Sequence, residues 1–289
     1  MSSLNGVLLI DKPEGPSSRD VLDALEPRLG AGPLGHSGTL DPLASGLLVV
    51  LVGRARKLQE YFTGRPKRYA ATVRFGASTP TFDRESDEVP ALSPPPDFTA
   101  GFAEALLSRF RGETDQRPPA FSAVRIGGRR SHEMAREGRA EEPPARRIRI
   151  DDLVLTQVEG ADWSLEIACS AGTFIRSLAR DLGIAAGTTA YLTRLRRSRS
   201  GCFDVALARA PEDVRSEDVM SLSAALASEP RVDVSRLEAV LLRDGRALAA
   251  TGIAEDSRPA FAWLDGSPRC KLKRLDPPLV RADLFFEPL

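Results

Sequence analysis

The 289 residues predict an α+β protein, with a mixed domain over 1–204, a linker at 205–231 and a small β-rich domain at 232–289. Three observations carry this reading. Short apolar runs (Val7 to Ile10, Leu47 to Val52) and a period-two segment (Tyr69, Ala71, Val73, Phe75) read as strands, the second run as a fully buried one. Segments with helical spacing lie among them, at Val21, Leu22 and Leu25 and again at Phe102, Leu106 and Phe110. From about residue 205 to 230 the chain turns polar and acidic, and short β-like runs separated by turn residues follow.

In chain order, strand Val7 to Ile10 leads through a Pro/Gly turn into a helix from about Ser18. Leu47 to Val52 passes through Gly53 into an expected helix over Arg54 to Phe62. The period-two strand then gives way to a loop rich in Thr, Asp, Glu and Pro, and a helix is expected over 98–110. Ile126-Gly127-Gly128-Arg129 is a hairpin turn, because paired glycines supply the positive φ that such turns need. Ser131 to Gly138 reads as a capped helix ended by glycine. Strands Ile148 to Val158 and Trp163 to Cys169 precede a helix from near Thr173 to near Gly183. In the C-terminal region, Ala260 to Trp263 and Leu279 to Phe286 read as strands.

Composition bounds the function without naming it. A hydrophobic content of 42% is ample for a core. No apolar run approaches the roughly 20 residues of a membrane span, and the N-terminus lacks a signal-peptide pattern, so a cytoplasmic protein with no membrane partner is expected. Cys169, Cys202 and Cys270 are too few and too far apart for a disulfide framework or a zinc site, and with His36 and His132 as the only histidines no metal is expected. Forty basic and forty acidic residues cancel, yet the charge is unevenly spread. Eight arginines against four glutamates lie between Arg125 and Arg149, and four arginines between Arg194 and Arg199. Phosphate-binding patches on a neutral chain are thus expected at Arg125, Arg129, Arg130, Arg196 and Arg197, although a solvated charged loop explains the first cluster equally.

The most informative run is Gly35-His36-Ser37-Gly38-Thr39-Leu40-Asp41-Pro42-Leu43-Ala44-Ser45-Gly46-Leu47-Leu48. Its glycines permit positive φ and close backbone approach, and Pro42 restricts Asp41 to extended conformations ahead of a buried strand. A carboxylate so held suits the floor of a cleft; the residues alone leave open that Asp41 merely opens a turn.

This run is similar to the catalytic motif of the TruB-type tRNA pseudouridine-55 synthases, GHTGTLDPLATG. Four further blocks resemble the family in the same order: Gly6-Val7-Leu8-Leu9-Ile10-Asp11-Lys12-Pro13 with Ser17-Ser18; Lys67-Arg68-Tyr69; Pro118-Pro119-Ala120-Phe121-Ser122-Ala123-Val124; and Gly172-Thr173-Phe174-Ile175-Arg176-Ser177, extended by Leu195-Arg196-Arg197-Ser198-Arg199-Ser200-Gly201. The resemblance implies a pseudouridine synthase fold, with a largely antiparallel mixed sheet flanked by helices, followed by a short PUA-like RNA-binding domain. It implies isomerisation of the T-loop uridine of tRNA, by base flipping and without a cofactor. Asp41 matches the essential aspartate, attacking C1′ or removing the C2′ proton; Arg176 is placed to pair with it.

The resemblance also makes Tyr69 the aromatic face for the flipped base, Leu195 a wall of the uracil pocket, and His36 the filler of the vacated stack. Lys12 and Phe174 join them as substrate-binding residues. Phe174 and Phe121 stand where the family usually has tyrosine, and Tyr191 where it often has histidine. Residues 117–143 correspond to an RNA-gripping insertion. A monomer acting on the T-arm stem-loop alone is expected, in preference to a dyskerin-type enzyme that works on a guide RNA with partner proteins, or to an RNA-binding folding chaperone.

Overall fold

The computed structural model describes residues 4–94, 99–122, 124–139, 141, 143–250, 259–276 and 278–288. Seven strands form its main sheet: β1 (Gly6–Lys12), β2 (Ala44–Val52), β3 (Lys67–Phe75), β4 (Gly112–Gln116), β5 (Arg146–Glu159), β6 (Asp162–Cys169) and β7 (Ala190–Ser200). Their spatial order is β1-β2-β7-β3-β6-β5-β4, antiparallel throughout except for the parallel pair β2–β7. Two short strands extend it, Gly35–His36 on β2 and Phe203–Asp204 on β7.

β2 runs up the centre of the protein, and from Gly46 onward all its residues are buried because both faces of the sheet are covered there. On one face, Val21, Leu22 and Leu25 of α1 (Ser18–Leu29), Leu106 and Leu107 of α2 (Ala100–Ser108) and Leu178 and Leu182 of α3 (Ile175–Ala185) pack on Val73, Phe75, Trp163, Leu165 and Ile167. α1 starts where the sequence allows: Ser17 and Asp20 form a reciprocal capping box, and Gly30 ends the helix at φ 55°. At Gly46, φ is 97° and a Cβ would sit 2.3 Å from the Arg197 carbonyl, so only glycine lets β2 and β7 approach this closely.

The second face of β1 and β2 is covered by a five-stranded C-terminal sheet. Its strands are β8 (Arg231–Asp233), β9 (Leu248–Ala249), β10 (Phe261–Leu264), β11 (Ser267–Arg274) and β12 (Leu279–Phe285), ordered β8-β10-β11-β12-β9. Phe261, Trp263 and Phe286 meet Val7, Leu9, Leu47, Val49 and Leu51 in one buried cluster.

Several expectations are revised. Over 53–63 the chain makes a 3-10 turn (Gly53–Leu58) before a short helix (Gln59–Thr63), with no single helix from Arg54. β4 and β7 carry no expected strand, yet β7 joins β2 to β3 across the middle of the sheet. Segment 205–231, expected as a linker, lies along β1: Val7 and Met220 exchange two backbone hydrogen bonds of 2.8 Å, and Val214, Leu222 and Leu226 are buried.

Candidate active site

A cleft of about 290 Å³ opens on the helix-covered face, where the start of α3 meets β3, the end of β6, β7 and the loop before β2. Asp41 and Arg176 both line it, with Arg176 Nε 2.9 Å from Asp41 Oδ2. The N–H of Nε is not directed along that line, so the contact is an ion pair and not an aligned hydrogen bond. About a third of the Asp41 side chain (34%) faces solvent, against 6% of Arg176. The carboxylate is thus reachable while its partner is locked.

Arg176 is locked from several sides. Nη1 donates to the Thr81 carbonyl at 3.0 Å, and Nη2 to the Phe121 carbonyl at 2.9 Å. Asp83, 1% exposed, places Oδ2 3.5 Å from Nη1. The remaining oxygen of Asp83 accepts from the Thr81 hydroxyl at 2.6 Å and the Glu85 N–H at 3.0 Å. A cation in the first turn of a helix opposes the helix dipole, so its place there is held by these acceptors and not by α3 itself. Arginine cannot shed its proton at such a site, which makes the flanking carboxylates a requirement of burial.

The loop carrying Asp41 is tied down on both sides. Buried Ser18 donates to the Leu40 carbonyl at 2.9 Å and accepts the Leu40 N–H at 2.8 Å. Gly15 N–H reaches the Pro42 carbonyl at 2.9 Å, and Ala44 N–H turns back to the Asp41 carbonyl at 3.0 Å. Tyr69, 7% exposed, faces the cleft from β3, and burial pushes its phenol above the usual range against the opposing pull of Arg197. Leu195 adds an apolar wall from β7. Phe174 caps α3, and the buried Gln116 amide fixes its backbone, accepting its N–H at 2.8 Å and donating to its carbonyl at 3.1 Å.

The fold therefore brings together Asp41, Arg176, Tyr69, Phe174 and Leu195. The other sequence-derived site residues lie elsewhere or act differently. Lys12 is fully buried and does not line the cleft; its amine donates to the Pro13 and Pro16 carbonyls at 2.8 Å, bracing the turn beside the Asp41 loop. His36 pairs with Val50 on β2, outside the cleft lining, with Nδ1 buried and without a partner. Burial and the charges of Arg197 and Arg19 hold its pKa below the usual value.

Arg197, expected to touch phosphate from the surface, is 1% exposed under the cleft floor. It donates to the Leu47 carbonyl at 2.7 Å and the Gly38 carbonyl at 3.0 Å. Strand alternation sends its neighbour Arg196 to the opposite face, where it pairs through two hydrogen bonds with Asp11. Arg129 is paired to Glu137 at 2.8 Å. The side chains of Arg125 and Arg130 lie outside the described residues.

Four residues of the site were not singled out from the sequence. Asp83 and Gln116 act through space on residues far along the chain, and no local pattern marks them. Lys67 lines the cleft; burial, with Arg197 beside it, pushes its amine down to about 8, although it also donates to the Thr63 and Arg65 carbonyls. Arg146 lines the same cleft with its guanidinium 4.4 Å over the Phe174 ring, and was hidden in the run of arginines that opens β5.

Residues 28–175 match the N-terminal domain of the TruB family of pseudouridylate synthases. This span includes the Asp41 loop and reaches the start of α3. The chain belongs to that family. It is 42% identical over 269 residues to the tRNA pseudouridine synthase B of Mycobacterium sp. (strain KMS), covering 91% of this chain and 90% of that protein. It is 41% identical over 255 residues to the protein of that name in Mycobacterium tuberculosis (strain ATCC 25618 / H37Rv), covering 86% and 85%. Among solved structures, the fold is shared with a Cbf5-Nop10-Gar1 complex chain at a TM-score of 0.75 and 22% identity, over 99% of this chain and 86% of that one. As a TruB-family pseudouridylate synthase the chain is an isomerase, and its mixed sheet is that of pseudouridine synthases.

Proposed function

We propose that this TruB-family chain converts uridine to pseudouridine at position 55, in the T-loop of tRNA, as a stand-alone enzyme without a cofactor. The observation that carries the reading is a half-open carboxylate, Asp41, ion-paired to a buried arginine at the floor of a cleft that Tyr69 and Leu195 wall. A carboxylate held by Arg176 and partly open to the cleft is equipped to act at the ribose, on C1′ or on the C2′ proton. A base inside a folded loop cannot reach it, so the nucleotide is turned out of the stack; the Tyr69 face and Leu195 then hold the uracil. Every group in this account is a side chain of the protein. The C-terminal sheet serves as a PUA-like module that adds affinity for the rest of the tRNA, in a cytoplasmic, monomeric enzyme.

The test is pseudouridine formation by the purified chain on an unmodified T-arm stem-loop. Full conversion is expected, and Asp41→Asn should abolish it while RNA affinity stays within about threefold, because volume is kept and only the reactive carboxylate goes. A stem-loop that is inert until a guide RNA or partner protein is supplied defeats the stand-alone reading. Turnover by Asp41→Asn removes Asp41 from the chemistry.

A further inference from the structure

Arg146, the first residue of β5, stands at the foot of the 117–143 insertion on the wall of the cleft that holds Asp41. Its guanidinium is held on two sides. The Phe174 ring lies under it, 4.4 Å from centroid to Cζ, and Nη2 donates to the carbonyl of Gly172, a residue at φ 83°. Nε is buried and has no partner.

The charge is not compensated. Among the described residues no carboxylate lies within ion-pairing distance of Arg146, whereas its neighbour Arg147 meets Glu113 at 3.1 Å and Asp115 at 3.6 Å. Burial accordingly lowers the Arg146 pKa with no acid to oppose it. A half-buried guanidinium left without a counter-ion is unfavourable, and fixing it over an aromatic ring retains only part of what hydration supplied. Its planar fork of donors matches a phosphate, and a cleft of about 290 Å³ that takes one nucleoside leaves the flanking phosphates as the anions within reach of its wall.

We propose that Arg146 binds the phosphodiester next to the flipped nucleotide, with the Phe174 ring as the platform that sets the plane of the guanidinium. This rests on the reading of the cleft as an RNA uridine isomerase site. It gives Phe174 a task that needs no hydroxyl.

The test compares the wild type and Arg146→Gln in binding an unmodified T-arm stem-loop, and stem-loops with a single methylphosphonate on the 5′ or the 3′ side of the target uridine. Arg146→Gln should weaken binding to the unmodified RNA roughly tenfold and flatten the slope of log affinity against log salt by about one unit. One of the two neutral phosphates should weaken the wild type by a similar factor and leave Arg146→Gln unaffected. Unchanged affinity and slope, or methylphosphonates that act equally on both proteins, would show that Arg146 only braces Phe174, and the proposal falls. If Arg146→Gln does not fold, the wild-type series decides: no loss at either phosphate overturns the assignment. A wild type that makes no pseudouridine on the unmodified stem-loop defeats the functional reading, whereas turnover combined with insensitivity to both methylphosphonates defeats this inference alone.

Discussion

Ser18→Ala isolates how the fold holds Asp41, since it alters neither the cleft lining nor any charge. The Ser18 hydroxyl, 2% exposed, gives its proton to the Leu40 carbonyl and takes that of the Leu40 N–H, at 2.9 and 2.8 Å. One side chain thereby satisfies both backbone groups of the residue before Asp41. Alanine leaves two buried polar groups unpaired, each costing roughly 1 to 3 kcal/mol. Relaxation of the loop brings the sum to the lower half of its range, about 2 to 4 kcal/mol, or a fall in Tm of roughly 3 to 7 °C for a chain of this size. The same relaxation moves the Asp41 backbone. A displacement near 1 Å at a reacting group is worth about a hundredfold in rate, so kcat should fall roughly tenfold to a hundredfold with KM nearly constant. Single-turnover pseudouridine formation at 25 °C, on protein shown to be folded by circular dichroism, reads this directly. A variant that melts lower but reacts at the normal rate would show that Ser18 supports the core without positioning Asp41. Unchanged melting would refute the energetic reasoning as well.

Tyr69→Leu, which removes the aromatic face, should slow turnover tenfold to a hundredfold, since base stacking is worth roughly 1 to 3 kcal/mol; Tyr69→Phe keeps the face, and a larger loss there would assign the work to the hydroxyl. Asp83→Asn, which keeps shape but removes one of the two carboxylates facing Arg176, should lower kcat by about tenfold or more with RNA affinity within threefold; an unchanged rate would confine Asp83 to structure. Lys67 is protonated up to about 8 in the folded chain and up to 10.5 when unfolded, so the unfolded state binds more protons between these values and stability rises with pH across them. The gain is complete above about 10.5, absent below about 8, and at most on the order of 3 kcal/mol, because the Thr63 and Arg65 carbonyls favour the ammonium. Urea midpoints at pH 7 and pH 10 should therefore separate less in Lys67→Met than in the wild type; an equal separation would remove Lys67 as the source.

The strands whose inward residues are apolar were legible, because burial of one face imposes the period-two pattern seen in Tyr69 to Phe75. β7 was not. Its outward positions hold Arg194, Arg196 and Arg199, and its inward position 197 is also an arginine, so the alternation of polarity is lost where the strand crosses beneath the cleft. β4 buries only Gln116, and its edge position leaves Gly112 to Asp115 free to be polar. The turns of 205–231 hide their few buried residues among acids, which makes a packed segment read as a linker. At the site, the motif residues were legible because they sit in one run or in blocks similar to a family. Asp83 and Gln116 were not, since their roles exist only once α3 has brought Arg176 and Phe174 to them.

The placement of arginines also answers how a chain of zero net charge can serve a polyanion. On the surface, basic groups are largely neutralised in pairs, as with Arg74 and Asp162, Arg196 and Asp11, or Arg129 and Glu137. In the cleft the balance differs. Arg176, Arg197, Lys67 and Arg146 face Asp41 inside or beside low-dielectric walls, with Asp83 behind Arg176. Charges count for several times more there than in water, and salt screens them less. Arg197 and Lys67 each donate to two backbone carbonyls and Arg176 is paired with two carboxylates, which leaves Arg146, with one backbone carbonyl and no carboxylate partner among the described residues, as the least committed cation of the lining. RNA affinity should thus follow the few uncompensated cations at the cleft and not the number of arginines in the sequence, and a substitution that merely breaks a surface pair such as Arg196 with Asp11 should change it little.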